Sequence, residues 1–175
     1  EPYLNHCIVL NSCDKMQVDN QEIETYETER DVLVAWSKLV QRENPDIVIG
    51  YNIFGFDYEF MFRRAEENDC AEEFLKLSRN NDEVCGTPIK SEDGYGTGKY
   101  KIEESSIQLA SGQHDLRFIK MNGRLQVDLY NFYRREANLI SYKLDYVAGN
   151  FIGDFVKGVD HAEECTSTIK TANMT

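Results

Sequence analysis

Residues 47–51 read Ile-Val-Ile-Gly-Tyr, a β-branched run that follows the helix-stopping pair Asn44-Pro45 and leads into the turn residues Asn52-Ile53-Phe54-Gly55. A strand without polar alternation offers no face to water, so the run is expected in mid-sheet, covered on both sides. The segment from about Phe56 to Asn68 carries Phe60, Met61 and Ala65 near helical spacing and predicts a helix after the turn. The unit is therefore strand, turn, helix, and the rest of the chain must pack around it.

Upstream, Cys7-Ile8-Val9-Leu10 and Glu22 to Tyr26 read as two strands joined by the polar loop Asn11 to Gln21. A helix follows, opened by Thr28 with Asp31 three residues on, an arrangement like a capping box, and carrying Val32, Trp36, Leu39 and Val40 on one face. Downstream, Ser78 to Lys99 is rich in Gly, Asn, Asp, Glu and Ser and predicts a long mobile loop. Asn122-Gly123 separates Leu116–Met121 from Arg124–Leu129, which predicts a β-hairpin with a type I′ turn; Lys101 to Leu109 supplies a neighbouring strand. Two helices follow, one from about Tyr130 to Ala137. The other is capped by Ser141, carries Leu144, Val147, Ala148, Phe151 and Ile152 on one stripe, and ends at Gly153. Strands and helices mixed in this way define an α/β fold with a mixed central sheet flanked by helices, plus a β-hairpin.

The chain has 175 residues, 41% of them hydrophobic, enough for one core and one domain. It starts at Glu1 and stops at Thr175 without terminal punctuation, which predicts a piece of something longer, truncated at both ends. Nineteen basic against 31 acidic residues give a formal net charge of −12, which repels a nucleic-acid backbone averaged over the surface. A carboxylate site filled by divalent metals reverses that field locally, so a nuclease is not excluded. Five cysteines without any Cys-x-x-Cys spacing read as reduced thiols, and His6, His114 and His161 are too scattered for a zinc site. No run of 18 apolar residues suggests a membrane partner. Gly94-x-Gly96-x-Gly98 lacks the strand before and helix after that a nucleotide fingerprint needs.

Asp57 stands just past the apolar strand, at the start of a helix. Position alone favours a carboxylate placed there by the helix dipole over a catalytic one. The longer segment Asn44-Pro45-Asp46-Ile47-Val48-Ile49-Gly50-Tyr51-Asn52-Ile53-Phe54-Gly55-Phe56-Asp57 resembles the second exonuclease motif of family B DNA polymerases, including its Asn-x-x-x-Phe-Asp core. Tyr26 to Asp31, Ala35-Trp36, Gly123 to Asp128 and Ser141 to Leu144 are similar to flanking segments of the delta-type enzymes. The likeness runs from about Glu22 to Asp154 and is strongest to delta-like polymerases of large DNA viruses of algae or protists.

The resemblance implies an RNase H-like exonuclease fold in which four carboxylates hold two divalent metals, Mg2+ in the complete domain. In it Asp57 is a catalytic metal ligand, Asn52 orders the site, and Phe56 packs beside the primer end. The family's first motif, Asp-x-Glu on an upstream strand, is missing, because the one Asp-x-Glu is Asp57-Tyr58-Glu59 itself. Its third motif, Tyr-x-x-x-Asp, matches none of the ten tyrosines. The expected organisation is a partial 3′→5′ exonuclease domain over 1–156, and a loop or insertion over 157–175 leading towards the third motif. A fragment with one carboxylate of four is expected to be inactive.

The parent implied is a replicative DNA polymerase of the nucleus or a viral replication compartment. Its partners would be the single-stranded primer 3′ end, the polymerase domains of the same chain and a processivity factor. The alternatives are a non-catalytic scaffold of a replication complex and a free-standing exonuclease. Asp128 reads as structural, capping the next helix or pairing with an Arg, and Tyr130, Phe132 and Tyr133 read as core. Arg134 and Arg135 fit equally a DNA contact or an exposed helix face.

Overall fold

The computed structural model describes residues 4–14, 20–94, 96–109 and 112–152. The expected helix end at Gly153 and the segment after it lie outside them. In chain order the elements are β1 (Asn5–Leu10), β2 (Gln21–Tyr26), α1 (Glu29–Glu43), β3 (Ile47–Gly50), a π-helical turn (Ile53–Asp57), α2 (Tyr58–Glu67) and α3 (Ala71–Phe74). There follow β4 (Thr87–Lys90), β5 (Gly96–Lys101), β6 (Glu103–Leu109), β7 (Gly112–Phe118), β8 (Leu125–Asp128), α4 (Leu129–Glu136) and α5 (Leu144–Phe151). The class is mixed α/β. No helix among the described residues is long and apolar enough to cross a membrane.

Helix α1 begins as its sequence dictates. The Thr28 hydroxyl oxygen accepts the Asp31 amide at 3.2 Å and its O–H donates to the Asp31 carboxylate at 2.6 Å. Asn44 ends the helix in the left-handed region at φ 46°, returning its N–H to the Val40 carbonyl at 3.1 Å, and Pro45 prevents resumption. The buried stripe is Leu33, Ala35, Ser37 and Val40, whereas Val32, Trp36 and Leu39 lie half-buried, so the inward face is rotated from the expected one. Ser37 causes the difference. Its hydroxyl is 1% exposed and donates to the Glu73 carbonyl at 3.3 Å, which lets a polar residue occupy the seam with α3. Trp36 stacks on Phe74 with ring centroids 5.4 Å apart. The core continues through Phe62, Ala65, Leu75, Leu77, Ile119 and Met121.

Three expectations are corrected. First, the strands form four two-stranded ladders among the described residues, and no single central sheet. β1 pairs with β2 and β3 with β8, both parallel, while β4–β5 and β6–β7 are antiparallel hairpins. β3 was expected in mid-sheet, yet it has one strand neighbour among the described residues and only Val48 is buried.

Second, β7 and β8 do not form a hairpin across Asn122-Gly123. Only Gly123 has a positive φ, 80°, with Arg124 N–H bonded to the Met121 carbonyl at 3.2 Å, so the turn is type II in form. A type I′ turn needs both central residues there to match the strand twist. β7 instead pairs with β6, and Arg124 directs β8 away. Its buried guanidinium donates to the carbonyls of Leu77 at 2.9 Å and Pro45 at 2.7 Å, which holds β8 beside β3.

Third, the expected mobile loop from Ser78 to Lys99 is a built segment. The Glu83 carboxylate collects donors from Ser78, Asn80 and Asn122, which hold it below the usual carboxylate range, and the β4–β5 hairpin follows. An almost wholly exposed two-stranded ribbon can be polar on both faces, and so reads as loop.

The last helices also differ in detail. α5 is preceded by Lys143 with no side-chain cap, while Ser141 Oγ accepts the Lys143 amide at 3.3 Å. Of the expected stripe, Val147 and Ala148 are buried, but Leu144, Phe151 and Ile152 are exposed. α4 buries none of its residues, so Tyr130, Phe132 and Tyr133 are not core.

Candidate active site

β3 and β8 run parallel with Gly50 opposite Asp128, so the turn after β3 and the start of α4 lie at the same, carboxyl end of the pair. Crevices at that end of parallel strands are where α/β folds place their sites. Asn52 leaves the strand in the left-handed region, φ 61°, which Asn tolerates better than other side chains with a β carbon. Its carbonyl accepts the amides of Gly55 at 3.1 Å and Phe56 at 3.0 Å. Gly55 packs so closely that a β carbon there would collide with the Asn52 side-chain oxygen. The turn then widens into one π-helical loop, closed from Tyr58 N–H to the Ile53 carbonyl, before α2 begins. Such wide turns are frequent at functional sites. Here the turn ends on the half-buried Asp57.

Asp128 organises this turn from across the ladder. Its carboxylate, 5% exposed, accepts the backbone amides of Asn52 at 2.8 Å and Phe54 at 3.0 Å, capping the turn. It also accepts the Tyr130 amide at 2.9 Å and the Asn131 side-chain amide at 3.1 Å, which caps α4. The expected helix cap is therefore present, and the link to the turn is an additional role that the sequence did not disclose. Four donors occupy this carboxylate.

Asp57 is different. It is half-buried, forms no ion pair among the described residues, and its carboxyl is raised above the usual range by burial and secondarily by the charge of Asp128. Beneath it, the Tyr58 side chain is 1% exposed with its hydroxyl lacking a partner among the described residues; burial, then Asp128 and Asp57, push that phenol up. Phe56 is 54% exposed and stacks on Phe60, 51% exposed, with centroids 5.5 Å apart and planes inclined by 12°. Phe60, one of the apolar residues whose spacing predicted the helix, lies on its solvent side and doubles an exposed aromatic surface. The i, i+4 spacing of the two rings was the available signal.

Asn52, Phe56 and Asp57 thus occupy one turn. As a metal centre the described donor set is small: no three His, Cys, Asp or Glu side chains converge among the described residues. Asp57 offers one free carboxylate and Asp128 is committed to its donors, so these residues do not by themselves fit a pair of metal ions.

The raised Asp57 carboxyl has a stability consequence. The folded chain keeps this proton to a higher pH than the unfolded chain does, so stability falls as pH rises from the ordinary aspartate range through the raised value. Ionised Asp57 is a net cost at neutral pH. Asp57→Asn is expected to raise the thermal midpoint at pH 7 by about 2 °C, the scale of less than about 1 kcal/mol for this length, and to leave it unchanged near pH ~3. Circular-dichroism melts at both pH values check this; a lower midpoint for the variant at pH 7 would show that the carboxylate stabilises the fold.

The chain belongs to the exonuclease-domain family of family B DNA polymerases, whose model matches residues 1–147. It is 42% identical over 183 aligned positions to the DNA polymerase of Phaeocystis pouchetii virus, covering all of this chain and 17% of that protein. It is 37% identical over 151 positions to the DNA polymerase of Pyramimonas orientalis virus, covering 86% of this chain and 11% of that protein. To the DNA polymerase delta catalytic subunit of Bos taurus it is 32% identical over 164 positions, covering 93% and 13%. The chain therefore spans a small part of the length of these relatives.

Proposed function

We propose that this chain is the 3′→5′ proofreading region of a replicative DNA polymerase, and that its architecture is RNase H-like. Residues 1–156 form part of the exonuclease domain and 157–175 lead towards its third motif. In the parent protein Asp57 is one carboxylate ligand of a two-metal Mg2+ site completed by groups outside the described residues. With the ions bound, the chemistry is hydrolysis of the terminal phosphodiester by an activated water. Asn52 sets the turn that aims Asp57, and Phe56 packs against the last base of a frayed primer strand. The substrate is single-stranded DNA delivered by polymerase domains of the same protein, in the nucleus or a viral replication compartment; a processivity factor would act on those domains.

The observation that carries this reading is the contrast between the two carboxylates. Asp128 is buried and saturated with donors, whereas Asp57, in the family-matched turn, has no counter-ion among the described residues and is presented at a cost in charge. A carboxylate kept in that state suits a cation that arrives with the substrate.

The test is to incubate the parent protein, and this chain alone, with Mg2+ and a primer bearing a 3′ mismatch. The parent is expected to shorten the primer from its 3′ end and the isolated chain to leave it intact. A parent that binds the primer and never shortens it would establish the scaffold reading instead.

A further inference from the structure

We infer that a cleft at the end of the β3–β8 pair opposite Asp57 binds a small phosphate-class oxyanion, with Arg124, Arg79 and Lys76 as its cations. The site goes beyond the exonuclease reading above and does not depend on it. Asn44 and Arg124, which line it, precede the first paired residues Ile47 and Leu125, so it lies at the amino end of the two strands. It measures about 560 Å3, within the range of small-molecule sites. Every lining side chain is polar or charged. Four of the eleven, Arg42, Lys76, Arg79 and Arg124, are cationic and two, Asp82 and Glu83, are acidic, whereas in the whole chain 31 acidic residues outnumber 19 basic ones. A lining without one apolar or aromatic side chain gives a base or a hydrophobic anchor nothing to rest on, and suits a compact, strongly charged ligand.

The buried cation decides the sign of the occupant. Arg124 is 8% exposed and meets no carboxylate among the described residues. Its Nε donates to the Leu77 carbonyl at 2.9 Å, and one terminal nitrogen donates to the Pro45 carbonyl at 2.7 Å and the Asn44 side-chain oxygen at 3.0 Å. The other terminal nitrogen, with its two N–H donors, has no acceptor among the described residues. Burial, then the neighbouring charge of Arg79, holds this guanidinium below the usual arginine range. A buried cation without a carboxylate costs free energy, and a second guanidinium near it adds repulsion; one oxyanion bound by both relieves the two costs together.

Lys76 is half-buried and forms no ion pair among the described residues. Arg79 is anchored by its amide on the Asn122 carbonyl at 3.0 Å and by its guanidinium on the Asn44 carbonyl at 3.0 Å. The nearby carboxylates are already engaged: Glu83 collects the donors of Ser78, Asn80 and Asn122, and Asp46 pairs with Arg79. Asp82 is exposed, where solvent and salt weaken its repulsion. Arg42 is held by Glu22, Glu24 and Glu43 and stands in the last turn of α1, where the helix carbonyls favour a cation, so it is not counted among the ligands. Those same carboxylates repel an extended polyanion such as DNA, which favours a small free anion.

The experiment is calorimetric titration of the parent protein with inorganic phosphate, against sodium chloride at matched ionic strength. Lys76→Glu is expected to weaken phosphate binding by about tenfold or more, because it removes a charge-assisted contact and adds a repelling carboxylate. Lys76→Ala is expected to lose less, and serves if the charge reversal lowers stability. Lys99→Glu makes the same charge change on β5 and is expected to bind as the unmodified protein does. Thymidine monophosphate is titrated in parallel. Affinity equal to or below that of phosphate makes the bare oxyanion the ligand, and tighter binding that Lys76→Glu abolishes makes it the phosphate end of a nucleotide; either supports the site. The proposal is overturned if the unmodified protein takes up no phosphate, if both Lys76 variants bind as it does, or if Lys99→Glu weakens binding equally. Displacement of phosphate by single-stranded oligothymidylate also overturns it, by making the cleft a contact for the DNA backbone.

Discussion

Replacing Asp57 by Ala in the parent polymerase is expected to slow removal of a 3′-mismatched nucleotide by about 10³-fold or more, while primer extension on a matched end stays within about twofold. On the proposed metal-binding role, the magnitude follows from losing a carboxylate whose charge has no substitute within the described residues. Asp57 forms no ion pair there, and the nearby Asp128 cannot take over without releasing the amides of Asn52, Phe54 and Tyr130. Quench-flow excision and extension assays on the same preparation separate the two activities. Excision that persists within about tenfold in the variant would remove Asp57 from the chemistry.

Asp128→Ala is expected to cost about 3 kcal/mol or more, because it strands three backbone amides and one side-chain amide in a buried place. In a chain of this length that corresponds to a fall of roughly 8 °C in the thermal midpoint. Asp128→Asn keeps one acceptor oxygen and should lose about half as much. Urea denaturation measures both variants; a loss below about 1 kcal/mol for Asp128→Ala would mean that the turn at Asn52 is held by something else.

The parts of this fold that could be read from sequence are those decided locally. Thr28 with Asp31 starts α1 and Asn44-Pro45 ends it because capping and chain stiffness act within a few residues. The apolar run after Pro45 became β3, and Asp128 capped α4, for the same reason. What could not be read was pairing between distant segments. Asn122-Gly123 carries the strongest short-range hairpin signal in the chain, yet the buried bonds of Arg124 to Leu77 and Pro45 decide where β8 goes. Ser37 could take a place in the core seam only because the Glu73 carbonyl waits across it.

The candidate site divides along the same line. Asn52, Phe56 and Asp57 lie within six residues and were identifiable from the motif they share. The grip of Asp128 on their turn spans more than 70 residues and required the parallel β3–β8 register. Phe60 joined Phe56 outside because α2 turns its buried face, Tyr58, Phe62 and Ala65, towards the core and leaves position 60 in solvent.

The most direct measurement is anomalous diffraction from crystals of the parent protein soaked in Mn2+. The account predicts an ion within about 2.5 Å of an Asp57 carboxylate oxygen, absent from the Asp57→Ala protein. An Asp57 carboxylate with no ion beside it, in a protein that still excises mismatches, would contradict it.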